Sequence, residues 1–358
     1  MAISKKDTLF LELVSLGLGH ATYTSFKGAN WHAIKTLAEQ QELYAVLLDG
    51  IERLPQYSRP PQELLLEWIG EVLQGYEYRY EQYEKAIAEL ASFYNCHGLK
   101  MMVLKGYACC LDWPKPNHRP CGDIDIWLFG KQKEADALLA KEKGIKIDSS
   151  HHHHTVFQWG DFAVENHYDF VNVHARRSSA DVERTFKELG MDDSNHVSIS
   201  GEKVYIPTSN LHALFLLKHA ASHFVGSNIN LRQVLDWAFF VVKHTDEIDW
   251  KWLNGEIAKY HMSDFVNSLN AICVENLGFE PSIFHGVQFN PQLKDRVLDD
   301  ILNPEYATEE PAWLISRLVY KYRRWKGNGW KQDLCYNESR WDTFWTGLWA
   351  KIMKPASI

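Results

Sequence analysis

The chain has 358 residues, 46% of them hydrophobic and 23% charged, which is enough for two or three compact units with cores of their own and rules out a disordered chain. Gly at 21 and Pro at 12 exclude collagen-like and low-complexity architectures. A formal charge of −8 argues against a broad, sequence-blind grip on nucleic acid or anionic membrane.

No run of 18 apolar residues occurs, because the most apolar stretches, Ala213 to Leu217 and Trp237 to Val242, are short and bounded by His or Lys. At the start, Lys5-Lys6 and Leu9 to Leu18 have the outline of a signal peptide, but Glu12 interrupts the apolar part and no small-x-small site closes it. The segment reads as an amphipathic helix and the protein as cytoplasmic, with no membrane partner. Cys96, Cys109, Cys110, Cys121, Cys273 and Cys335 include no Cys-x-x-Cys, so reduced and mostly buried thiols are expected.

In chain order, residues 1–61 form a helical region in which Trp31, Ile34, Leu37 and Ala38 share one face, Asn30 caps the turn before them, and Pro55, Pro60 and Pro61 end the unit. Apolar residues three or four apart from Leu65 to Tyr94 predict one long helix from Gln62, closed at Gly98. The period then changes. Leu99 to Leu104 reads as a buried strand, and a Pro-rich loop from Trp113 to Pro120 leads into Asp123 to Leu128, which alternates polar and apolar. Ile145 to Ile147, Thr155 to Trp159 and Phe162 to Tyr168 are further strands, the last two joined at Gly160-Asp161. Helical periodicity returns after Pro207 and continues through Leu211 to Phe239 and beyond. The expected fold is α+β: a small mixed sheet with flanking helices in residues 62–206, set between helical regions 1–61 and 207–358.

The chemically informative stretch is Lys105-Gly106, sixteen intervening residues, then Asp123-Ile124-Asp125-Ile126. Residues two apart on a strand point the same way, so the carboxylates of Asp123 and Asp125 emerge side by side while both isoleucines enter the core. Adjacent carboxylates repel unless something positive lies between them, and Mg²⁺, which takes oxygen ligands and substrate phosphates, suits the position. Gly106 opens a helix after a strand, where backbone N–H groups favour a phosphate; Lys105 adds charge, and Arg119, four residues before Asp123, has the reach for the same anion. A third carboxylate from a neighbouring strand would complete a two-metal arrangement for in-line displacement. Val164-Glu165-Asn166-His167 provides it, with Glu165 and His167 on one face; Asp169 is the rival acid two residues beyond His167.

Gly106, then Arg119-x-x-Gly122-Asp123-Ile124-Asp125-Ile126, then Val164-Glu165-Asn166-His167, resemble the nucleotidyltransferase superfamily of the DNA polymerase β type, and most closely its poorly characterised bacterial branch. The resemblance covers roughly residues 62 to 240. It implies that Lys105, Gly106, Arg119 and Gly122 bind the nucleotide, that Asp123 and Asp125 hold two Mg²⁺ ions (or Mn²⁺), and that Glu165 positions the metal near the attacking hydroxyl, supported by His167 or Asp169. Two departures are visible: the superfamily's Gly-Ser or Gly-Gly turn is here Lys105-Gly106-Tyr107, and the loop before Asp123 is long. The implied activity is transfer of a nucleoside monophosphate from an NTP to an acceptor, which the sequence leaves open among a small molecule, a protein and RNA. The alternative is a catalytically weak nucleotide-binding regulator, such as a toxin–antitoxin partner.

Other motifs read as structural. Along a strand only two of His151 to His154 would point the same way, and no Cys or spaced acid completes a zinc set, so a polar strand beside the cleft is expected. His219 and His223 lack the Glu that a metalloprotease places after its first His and read as a packing face. Arg232 and Asp236 have the spacing of an ion pair, and the resemblance implies that the helical region carrying Lys218-His219, Arg232 and Asp236 packs against the nucleotide site. The basic and aromatic residues between Arg317 and Lys331 suit an amphipathic helix better than an RNA surface at this net charge, although a nucleic-acid contact through 317–331 stays open.

Overall fold

The structure, a computed structural model, describes residues 4–21, 25–174, 176–285, 288, 290–306, 313–343 and 345–346. The chain forms two compact units: one from residues 1–76 and 217–337, the other from residues 77–216 and 338–358. The N-terminal and C-terminal helical segments therefore share a unit. Among the described residues no helix is long and apolar enough to cross a membrane.

The first unit is helical. Asn30 caps the helix Trp31–Gln40 by accepting from the Ala33 N–H at 3.1 Å, and that helix buries Trp31, Ile34, Leu37 and Ala38, as their spacing predicts. Helices Lys5–Leu18 and Tyr44–Glu52 approach backbone to backbone at two glycines. A Cβ on Gly50 would stand 2.4 Å from the Leu13 carbonyl oxygen, and one on Gly17 would stand 2.1 Å from that of Val46. Neither carbonyl can swing away as a side-chain tip would. Gly50→Ala should therefore lower stability by about 1–2 kcal/mol, the overpacking cost exceeding the roughly 1 kcal/mol that alanine gains in a helix. Gly70→Ala, in the helix Gln62–Val72 where the added methyl meets open space, should be neutral or stabilising. Urea unfolding of the two variants checks the pair, and equal effects would contradict it.

In the same unit Arg232 bonds Asp236 at 3.5 Å and Glu42 at 2.5 Å. The aromatic-basic segment forms helices Leu314–Gly327 and Gly329–Cys335, and Lys331 is buried against Asp300 at 2.5 Å rather than displayed to solvent.

The helical run expected from Gln62 to Tyr94 forms, but a π turn over Leu73–Tyr78 separates Gln62–Val72 from Arg79–Cys96. Trp68, Val72, Tyr76 and Tyr80 follow one another at steps of four, each overshooting an α-turn by about 40°, and the wider turn absorbs that drift.

The second unit holds a six-stranded mixed sheet: β1 Met102–Val103, β2 Ile124–Trp127, β3 His154–Trp159, β4 Phe162–His167, β5 His196–Ile199 and β6 Glu202–Tyr205, in the order β3-β4-β2-β1-β6-β5. β2 and β4 are parallel, as are β1 and β6; the remaining neighbours are antiparallel. Ile145 to Ile147 do not form the expected strand, and only Asp148 bridges to Val156. β5 and β6 lie beyond the sequence expectation; they turn at Ser200-Gly201, where both residues take positive φ, the requirement of a tight hairpin.

One sheet face carries Ile124, Ile126, Phe157 and Val164, all fully or almost fully buried against Tyr83, Ile87 and Leu90 of the helix Arg79–Cys96 and Ala135 and Leu139 of the helix Gln132–Lys143. Burying each such side chain contributes about 1.5–3 kcal/mol. A one-residue slip of β2 would exchange two isoleucines for two aspartates, so the apolar pattern holds the acids on the other face.

Candidate active site

Strand register assembles the site. β2 and β4 pair Asp125 with Glu165 and Trp127 with His167, while β4 and β3 pair His167 with His154. Directly paired residues project from the same face, so Asp125, Glu165, His167 and His154 stand together on the face opposite the isoleucines. Asp123 immediately precedes β2 and is exposed at its entrance, whereas Asp125 is buried.

Asp125 is the centre of the arrangement. Its Oδ1 accepts from Lys105 Nζ at 2.7 Å and from His167 Nε2 at 3.0 Å. His167 Nε2 also lies 3.4 Å from Glu165 Oε2, and His154 Nε2 lies 3.8 Å from Glu165 Oε1. Burial alone would push the Asp125 carboxyl up, but Lys105 and His167 outweigh it and hold the group well below the usual carboxylate range. Burial would likewise lower Lys105, yet Asp125, Glu165 and Asp123 keep its ammonium above the ordinary lysine value. His167 follows the same logic: desolvation is overcome by Asp125 and Glu165, and its pKa rises. Asp123 differs. Burial and then the like charges of Glu165 and Asp125 raise its pKa, so negative charge is left incompletely compensated on the exposed side of the cluster.

Lys105 is therefore placed against the acids, where the sequence alone suggested a phosphate contact. Gly106 has a packing reason to be glycine, because a Cβ there would stand 2.6 Å from Tyr83 Oη and 3.4 Å from the Asp123 carbonyl oxygen. Tyr83 Oη donates to that carbonyl at 2.8 Å, tying the helix Arg79–Cys96 to the chain entering β2. A Cβ at Gly122 would meet nothing within 4 Å. Arg119 is buried, donating to the Pro120 carbonyl at 3.1 Å and lying 3.9 Å from Cys110 Sγ. Asp169 bonds Lys187 through its carboxylate, and its backbone carbonyl lies 3.3 Å from His167 Nδ1.

Sequence reasoning gave Tyr83 no part in the site and read His154 as part of a polar strand beside the cleft. The signal for Tyr83 is its place on the buried stripe of a helix that must cover the strand bearing the acids. His154 is readable only once β3 and β4 are set in register, after which it faces His167. His153 lies just before β3, outside strand alternation, and its ring centroid is 4.4 Å from that of His154 and 5.8 Å from that of His167. Two overlapping sets, Asp125-Glu165-His167 and His153-His154-His167, each bring one donor atom per residue within 4.8 Å of the others.

The sequence profile of a family described as uncharacterised nucleotidyltransferase matches residues 27–278. Among solved structures, an antigenic nucleotidyltransferase-like protein from Paracoccidioides brasiliensis is 14% identical, the similarity covering 57% of this chain and 96% of that one with a TM-score of 0.35. No curated protein matches the chain.

Proposed function

This chain belongs to the uncharacterised nucleotidyltransferase family, and on that premise we propose that it transfers a nucleoside monophosphate from an NTP to an acceptor hydroxyl with release of pyrophosphate. The observation that carries the reading is the parallel register of Asp125 with Glu165, which sets two carboxylates on one face beside exposed Asp123.

The donor set fits a hard divalent cation. Carboxylate oxygens predominate, and the raised pKa of Asp123 marks a surplus of negative charge that such an ion would relieve. Mg²⁺ or Mn²⁺ held by Asp123, Asp125 and Glu165 would supply charge neutralisation for the triphosphate. The chain's own contribution is alignment and preorganised charge. Tyr83 holds the backbone at Asp123, His167 Nε2 donates to Asp125, and Lys105 at 2.7 Å keeps the Asp125 carboxylate ionised.

Asp123→Asn is the direct test, because an exposed residue can lose its charge without unpairing a buried partner. Calorimetry should show Mg²⁺-dependent ATP binding in the wild type and its loss in the variant, with nucleotidyl transfer reduced at least about a hundredfold. Unchanged Mg²⁺-dependent binding in Asp123→Asn would overturn the assignment of the site. A second reading, a nucleotide-binding regulator with little turnover, is favoured by the Lys105–Asp125 ion pair, which partly neutralises the acids without a metal. ATP binding that needs no divalent ion would decide for it.

A further inference from the structure

The imidazoles beside the carboxylates form a donor set of a different chemical kind. His154 is buried and pairs across the sheet with buried His167, and His153 reaches the same point from the turn that leads into β3. One ring nitrogen of each lies within 4.8 Å of the other two. The Nδ1 atoms of His153 and His154 are both buried without a hydrogen-bond partner. A buried polar atom left so costs about 1–3 kcal/mol, and at His153 a bound cation would relieve it, whereas His154 turns its other nitrogen, Nε2, toward Glu165.

We propose that His153, His154 and His167 bind one transition-metal cation of the Zn²⁺ class, with the Glu165 carboxylate as fourth donor. Three imidazoles and a carboxylate are a preferred set for Zn²⁺ and unsuited to Mg²⁺, which takes oxygen ligands. Tetrahedral donors at zinc bond lengths stand about 3.4 Å apart, and the Glu165 carboxylate already reaches His167 Nε2 at 3.4 Å through Oε2 and His154 Nε2 at 3.8 Å through Oε1. The His153 carbonyl accepts from the Tyr168 and Asp169 backbone N–H groups at 3.0 and 3.1 Å, which fixes this residue beside the end of β4 and its ring near His154 and His167. The site goes beyond the nucleotidyl-transfer reading: it shares Glu165 and His167 with the carboxylate cluster, and Zn²⁺ on His167 Nε2 would replace the hydrogen bond from that nitrogen to Asp125, but it draws its selectivity from residues that cluster does not use.

The experiment takes the untagged full-length protein after treatment with a chelator. Zn²⁺ affinity is measured by competition with a chromophoric chelator, and Co²⁺ is added as a spectroscopic probe. One equivalent of Co²⁺ should produce the intense visible bands of a tetrahedral site, and Zn²⁺ should abolish them. His153→Ala and His154→Ala should each weaken Zn²⁺ binding at least about a hundredfold, the upper end of what even outer-shell partners cost. Mg²⁺-dependent ATP binding, followed in His153→Ala, should stay within about threefold of wild type; its absence in the wild type would count against the transferase reading alone. Absence of saturable Zn²⁺ binding, or equal affinity in wild type and His153→Ala, overturns the proposal. His153 is only half-buried, so that variant keeps the test decisive if His154→Ala does not fold.

Discussion

Asp125→Asn should destabilise the second unit by about 3 kcal/mol, within the range for removing one partner of a buried ion pair. The reason is what the substitution leaves behind. Lys105 stays largely buried with its ammonium aimed at a neutral amide, and His167 loses the acceptor that raises its basicity. The expected loss sits at the lower end because Glu165 and Asp123 still face the lysine. Removing the charge from the other side discriminates between an ion-pair effect and simple misfit. Lys105→Met with Asp125→Asn should be less damaging than the two single losses added together, and a double-mutant cycle by urea unfolding measures that coupling. If Asp125→Asn alone falls within about 0.5 kcal/mol of wild type, the pair contributes no more than a surface contact. The contrast with Asp123→Asn, which should keep full stability while losing metal-dependent nucleotide binding, separates the buried acid that organises the site from the exposed one that meets the ligand.

Glu183 should impose a pH dependence of comparable size. It lies on the helix Ser179–Gly190, is 4% exposed, and accepts from the backbone N–H groups of Phe170 and Val171 at 3.1 and 2.9 Å. Burial dominates those bonds and pushes its carboxyl up to about 7. An acid with a raised folded-state pKa binds its proton more tightly in the native protein than in the unfolded chain. Below the ordinary glutamate value both states are protonated and the favourable contribution is complete. As pH rises from there through about 7, the unfolded state ionises first and stability falls, by about 3 kcal/mol in all for this group. Other groups titrate over the same window, so the measurement is a difference. From urea unfolding at several pH values, the stability of Glu183→Gln relative to wild type should shift by about 3 kcal/mol in the variant's favour between about pH 4.5 and 7.5. A pH-independent difference would show that Glu183 ionises in the folded state as it does in the unfolded one.

Much of the candidate site was legible from local pattern. Alternation alone places Asp123 and Asp125 on one side of β2 with Ile124 and Ile126 on the other, and the same rule puts Glu165 and His167 together on β4. The helix stripe from Trp68 to Tyr94 follows from spacing too, apart from the π turn. What local pattern could not supply was the partner of each group. Lys105 follows a strand and precedes Gly106, which suggested a phosphate contact, yet the packing of Gly106 on Tyr83 brings the lysine to Asp125. Arg119 has the right separation from Asp123 to share a ligand, but its guanidinium is buried by Cys110 and Pro120. Asp169 continues the alternation of β4 after the strand has ended, and its carboxylate turns to Lys187.

The histidines mark the same boundary. His151 to His154 give no periodic signal because β3 begins only at His154. Their meaning depends on a hairpin register that sets His154 opposite His167 and on a parallel pairing that sets Glu165 beside Asp125. By itself the sequence determined which residues share a face, because side-chain direction repeats every two residues in a strand and every 3.6 in a helix, a property of the local backbone. Only the tertiary structure decided which faces meet and at what register, because strand pairing joins residues such as Asp125 and Glu165, forty positions apart, through burial and hydrogen bonds spread over the whole sheet.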